Sequence, residues 1–137
     1  MNDKKSKTGM MAALIIFMVS VIAFSCTQED NRLQGRWSIL NPDGSASGEY
    51  VDFNQDSTYN VTLPNGQVGE RGKYMLADSV FSIKNIKDVC GKDYWGKYSL
   101  TFHGSDSVHL ALIEDTCTSR RMDLVGYNPG LKRVKTK

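Results

Sequence analysis

A chain of 137 residues allows one domain. Its 40% hydrophobic and 23% charged residues are ordinary for a globular protein, and its 9% aromatic content is too high for a disordered one. The formal charge of +2 at pH 7 comes from the two ends of the chain: Lys4, Lys5 and Lys7 at the start, and Lys132, Arg133, Lys135 and Lys137 at the finish. Between them, residues 32–130 hold 10 basic against 12 acidic side chains, which excludes a nucleic-acid partner.

The first element is an export segment. Residues 1–9 are polar, and residues 10–24 are apolar except for Ser20. A helix of that length reaches about 22 Å, short of the roughly 30 Å hydrocarbon core, so the run reads as a signal peptide and not as a span. Small Ser25 precedes Cys26, and Ile22-Ala23-Phe24-Ser25-Cys26 resembles the lipobox of bacterial lipoproteins. That resemblance implies cleavage before Cys26, acylation of Cys26 (with palmitate as one such chain) and anchorage to a membrane. Thr27-Gln28-Glu29-Asp30 resembles the short acidic signal that sends lipoproteins of some Gram-negative groups to the outer face of the outer membrane; a plain solvated tether is the alternative. The expected location is the cell envelope, as an outer membrane lipoprotein. Residues 1–25 are then the signal peptide, 26–31 a lipidated tether, 32–130 the folded domain and 131–137 a basic tail.

Within the domain the apolar period is two, not 3.6. Weak strands are expected at 36–40 and 49–54. In 58–63, Tyr59, Val61 and Leu63 share one face against Thr58, Asn60 and Thr62. Strands at 72–76 and 80–84 follow. In 97–102, Tyr98, Leu100 and Phe102 oppose Lys97, Ser99 and Thr101, and in 107–113, Val108, Leu110 and Leu112 oppose Ser107, His109 and Ala111. Residues 120–125, with Arg120, Met122 and Leu124 in one phase, complete about eight strands. Asn41-Pro42-Asp43-Gly44, Pro64-Asn65-Gly66, Ala77-Asp78-Ser79 and Gly104-Ser105-Asp106 carry turn chemistry between them. Short strands joined in sequence order, with no covering helices, predict an all-β fold: a small antiparallel up-and-down barrel that removes its own edges.

Once Cys26 carries lipid, Cys90 and Cys117 remain, and an exported chain meets an oxidising compartment. A disulfide between them closes a loop of 27 positions and is worth roughly 3–4 kcal/mol by the chain-entropy relation. Metal ligation is the rival reading, but two cysteines without a CxxC spacing make a poor zinc site.

Leu33-x-Gly35-Arg36-Trp37 resembles the Gly-x-Trp opening of lipocalins and other calycins. Phe53-x-x-Asp56-Ser57-Thr58-Tyr59, Gly72-Lys73-Tyr74 and Asp115-Thr116-Cys117-Thr118-Ser119-Arg120 resemble, in order and spacing, motifs of small bacterial lipocalin-like lipoproteins, with Ser57 where a turn Gly is usual. The resemblance implies a lipocalin-like barrel with Trp37 plugging one end and an Arg from the last strand over its ring. Arg120 is the residue expected in that place, by cation–π contact.

No catalytic residue and no cofactor are expected. Asp52, Asp56, Glu70, Asp78, Asp88, Asp93, Asp106, Glu114 and Asp115 fall in turns or on polar faces and read as solvated surface, and no nucleophile or phosphate loop stands at recognisable spacing. Asp56-Ser57-Thr58, Asp78-Ser79-Val80 and Asp106-Ser107-Val108 resemble O-glycosylation acceptors of some Gram-negative envelopes, although turn chemistry explains them more simply. Two functions are open. One is a binding module for a small apolar ligand, lined by Phe53, Tyr59, Tyr74, Phe81, Tyr98 and Phe102. The other is a packed barrel contacting an envelope protein through exposed aromatics such as Trp95. An internal cavity above about 300 Å³ separates them.

Overall fold

Eight antiparallel strands follow one another around a single closed ring of sheet: β1 (Gly35–Leu40), β2 (Ala46–Phe53), β3 (Thr58–Thr62), β4 (Val68–Ala77), β5 (Val80–Asn85), β6 (Gly96–His103), β7 (Ser107–Glu114) and β8 (Leu131–Arg133). This computed structural model describes residues 31–87, 90, 93–127 and 130–135. The export segment, Cys26 and the tether up to Asp30 lie outside the described residues, as do Asp88 and Lys137. Among the described residues no helix is long and apolar enough to cross a membrane.

The meander expected from sequence order is present, and each strand turns alternate side chains inward. Trp37 and Ile39, Val51 and Phe53, Tyr74 and Leu76, Phe81 and Ile83, Tyr98 and Leu100, and Val108 and Leu110 form one buried core. The turns follow their chemistry. Ala77 pairs with Val80 across Asp78 and Ser79, which have φ of 49° and 65°, the geometry of a two-residue type I′ hairpin. Asp56 Oδ1 accepts from the Thr58 N–H at 3.1 Å and the Thr58 hydroxyl at 2.6 Å, so the first Asp-Ser tripeptide is a side-chain-locked turn.

The eighth strand is not where the alternation placed it. Residues 120–125 are helical: α1 (Thr118–Arg121) runs into a π-helical turn at Met122–Gly126. The strand that closes the ring is Leu131–Arg133, taken from the segment expected to be a tail, so the barrel continues through Arg133. It pairs with β1 through Trp37↔Arg133 and Ile39↔Leu131, and with β7 through Val108↔Leu131. Three residues are too few to show a period of two, and Arg120, Met122 and Leu124 match a helical face as readily as a strand phase.

The same correction moves the arginine of the closed end. The guanidinium over the Trp37 ring belongs to Arg133, at 4.2 Å from the centroid, and not to Arg120. Trp37 is fully buried and its indole N–H donates to the Leu33 carbonyl at 2.7 Å. Arg133 also donates to the carbonyls of Gln34 at 2.9 Å and Ser105 at 3.1 Å, and to that of Arg32. Gly35 has φ of 113°, and a Cβ there would stand 3.3 Å from the Arg133 Nη1, so the Gly before the Trp has a backbone reason. This plug stands where β1 and β3 begin and β2 and β6 end, at the end where the described chain enters.

Candidate functional site

Among the described residues, the opposite end is open. A cavity of about 430 Å³ occupies the barrel interior, walled by apolar side chains that include Ile39, Val51, Phe81, Ile83 and Leu110. Of the six aromatics expected to line such a space, Phe53, Tyr59 and Phe81 do. Tyr74, Tyr98 and Phe102 are not among its walls. Tyr74 packs edge-on against Phe53 at 4.9 Å between centroids and donates its hydroxyl to the Asn54 carbonyl at 2.9 Å. Phe102 lies under the Arg32 guanidinium at 4.3 Å, and Tyr98 is held by a carboxylate. Tyr59 turns its ring over Gly72, where a Cβ would meet Tyr59 Cε1 at 2.3 Å; the Gly makes room for the ring.

The walls change character toward the mouth. Glu49 keeps the inward phase of Val51 and Phe53, Glu70 that of Gly72 and Tyr74, and Asn85 that of Phe81 and Ile83, and all three line the cavity. Asp123 and Arg120 reach it from the helical segment after β7. The Tyr59 hydroxyl donates to Asn85 Oδ1 at 3.2 Å, and the Asn85 amide donates to Glu70 Oε1. Burial, and then the charge of Asp123, push the Glu70 carboxyl above its ordinary value, against the opposing pull of Arg120 and Lys87. Burial pushes Asp123 up as well.

Arg120 is committed elsewhere. Its Nε and Nη2 donate to Asp115 Oδ2 and Oδ1 at 2.6 and 2.9 Å, and both side chains are buried, 4% and 0% exposed. Nη1 donates to Asn85 Oδ1 at 3.4 Å and to the Tyr94 carbonyl at 3.5 Å. Asp115 also accepts from the Tyr98 hydroxyl at 2.5 Å and the Cys117 N–H at 2.8 Å. Burial works to raise the Asp115 carboxyl, but these donors outweigh it and hold the group below its ordinary value. Burial and the same carboxylate raise the Tyr98 phenol. The pair closes under Gly96, where a Cβ would meet Asp115 Oδ2 at 2.2 Å. Asp115, expected on the solvated surface, is therefore a buried anchor, because its four donors replace water.

Cys90 and Cys117 lie at disulfide distance, with Cα atoms 5.3 Å apart. The link ties the loop after β5 to the residue whose N–H holds Asp115, so it steadies the segment that carries Arg120 and Asp123. Trp95 is half-buried just before β6, with the Lys84 ammonium 5.0 Å from its ring.

Sequence reasoning missed Glu49, Asn85 and Asp123 and misread Glu70. The signal was present for three of them: a polar residue occupies the inward phase of an otherwise apolar strand. For Asp123 there was none, since its helical segment was read as a strand. Comparison of the chain with protein-family models, with curated proteins and with solved structures yields no match.

Proposed function

We propose that this protein is a membrane-anchored, lipocalin-like lipoprotein and a non-catalytic module whose barrel holds one small apolar ligand. The observation that carries the ligand reading is the cavity of about 430 Å³, within the range of small-molecule sites and far above what packing defects leave in a core. Anchorage rests on the lipobox-like residues ending at Cys26. The described chain begins beside the plugged end, which suits a mouth facing away from an anchor at Cys26.

Titration with N-phenyl-1-naphthylamine, a neutral fluorescent apolar probe, tests the ligand reading. The expected result is saturable binding at one site, abolished by Val61→Trp, which fills the mouth of the cavity, with unchanged circular dichroism. Absence of binding to the intact protein sinks the reading. For the anchor, Cys26→Ser should abolish partitioning into detergent; a Cys26→Ser protein that is cleaved yet still membrane-bound refutes it.

A second reading, contact with an envelope protein, has its own observation. Among the described residues, six of the seven exposed large apolar side chains, Val68, Ile86, Leu112, Ile113, Met122 and Tyr127, belong to the mouth half of the barrel, and Met75 lies toward the plugged end. Cross-linking from Ile86 and Tyr127 positions in intact cells tests it; recovery of the protein uncross-linked from both positions removes this reading.

A further inference from the structure

We infer that the helical segment after β7 is a lid over the cavity, fixed at its root through Arg121 and lifting beyond it, from Met122 to Gly126, to pass the ligand. The inference rests on the reading of the cavity as a ligand site and names the element that controls access to it. The path of the chain lays this segment across the mouth. It follows the mouth end of β7, sends Arg120 Nη1 to Asn85 Oδ1 at the end of β5, 3.4 Å away, and brings Asp123 near Glu70 of β4, before the chain returns to β8. In the order of the ring β4 stands opposite β8, so a connection from β7 to β8 that reaches β4 spans the opening. Arg120, Asp123 and Leu124 of this segment all line the cavity.

The two halves of the segment are held differently. At the root, Arg120 is bound to Asp115 by two nitrogens, the Cys117 N–H donates to the same carboxylate, Arg121 Nη1 donates to the Asp115 carbonyl at 3.4 Å, and Cys117 is linked to Cys90. Beyond Arg121, none of the five residues Met122–Gly126 is buried. Leu124 and Val125 are half-buried against the core, and Asp123 is engaged as well. The backbone of this tip closes on itself: the Tyr127 N–H donates to the Met122 carbonyl at 2.8 Å, which makes the π-helical turn a unit that moves as one. Lifting the tip uncovers two half-buried apolar side chains, whereas moving the root strands a buried arginine without its carboxylate. Local opening falls where burial is least, so the tip opens and the root stays. Single π-helical turns of this kind recur at functional sites.

Two measurements on the intact protein test the lid. In native-state hydrogen exchange the Tyr127 amide, bonded within the tip, should be at least about tenfold less protected than the Cys117 and Arg121 amides, bonded within the root. In stopped-flow mixing with N-phenyl-1-naphthylamine, the observed rate should level off at high probe concentration, at the rate of lid opening. Leu124→Ala, which removes packing from the tip alone, should raise that plateau at least about fivefold and leave the Cys117 and Arg121 protection unchanged. A rate that climbs linearly with probe in both proteins, or a plateau that Leu124→Ala does not move, overturns the lid and leaves the ligand site in place. Equal protection of the three amides overturns the hinge at Met122. If calorimetry detects no binding of the probe, the ligand reading itself falls, and gating of the cavity falls with it.

Discussion

Each end of the barrel contains an arginine, and the two are satisfied in different ways. At the plugged end Arg133 lies over Trp37 and donates to three backbone carbonyls, those of Arg32, Gln34 and Ser105. At the mouth Arg120 is held by a buried carboxylate, Asp115, with a tyrosine and a backbone N–H completing that carboxylate. The first arrangement cross-links the chain's entry segment to its last strand and leaves no charge facing the interior. The second removes a cation from a rim where Glu70 and Asp123 remain. An end that only has to close uses neutral acceptors; at the end that holds the cavity a buried carboxylate takes up the arginine's charge.

The comparison breaks first at Trp37. Trp37→Ala should cost about 3–5 kcal/mol in urea denaturation, the range for a large buried aromatic. A double-mutant cycle should give a Trp37–Arg133 coupling of about 0.5–2 kcal/mol and none between Trp37 and Arg120. A coupling with Arg120 and none with Arg133 contradicts the assignment of the two arginines. At the other end, Asp115→Ala leaves Arg120 buried without its anion and should also cost about 3–5 kcal/mol, while the paired apolar replacement Asp115→Leu/Arg120→Met should cost less than Asp115→Ala alone. If the pair and the single variant lose equally, packing and not charge explains the site.

Reduction or replacement of the Cys90–Cys117 link should lower stability by roughly 3 kcal/mol, and the enhanced hydrogen exchange should fall on residues 115–126 and not on the Trp37 end. Two free thiols in protein taken from the envelope would refute the link.

A smaller effect follows from Glu70. Its carboxyl is pushed up in the folded state, so folding is favoured by protonation: stability from this group is complete below the unfolded value and is lost as pH rises through the folded one. Glu70→Gln should therefore raise the melting temperature at pH 7, and the gain should vanish below about pH 4. A gain that persists unchanged in acid would have another origin. The smallest effect belongs to the plugged half. Ser79→Gly replaces a positive-φ residue in the type I′ turn with the residue that turn prefers, and should stabilise by about 0.5–1 kcal/mol.

What the amino-acid sequence determined by itself is local and periodic. Alternation in 58–63, 97–102 and 107–113 identified strands and most of their inward faces, because a period of two needs no knowledge of partners; Leu112, expected inward with Val108 and Leu110, is exposed where the β6–β7 register shifts. The Gly35-x-Trp37 pair and the Asp-Ser turns were legible for a similar reason: positive φ and side-chain-locked turns are properties of a few adjacent residues. The cysteine pair followed from elimination, and the structure brings Cys90 and Cys117 within disulfide distance. Only the tertiary structure decided which segment closes the ring. Residues 120–125 have an apolar spacing that suits either element, and Leu131–Arg133 becomes a strand only because β1 and β7 present free edges to it. The exchange of the two arginines follows from that closure, since the partner of Trp37 is whichever residue pairs with it across the last strand, and that residue is Arg133. The acidic mouth was half visible: Glu49, Glu70 and Asn85 stood in the inward phase of apolar strands, but their meeting with Asp123 and a neutralised Arg120 depends on contacts across the barrel, up to 53 positions apart for Glu70 and Asp123. No local pattern encodes a pairing at that distance; it is set when the ring closes.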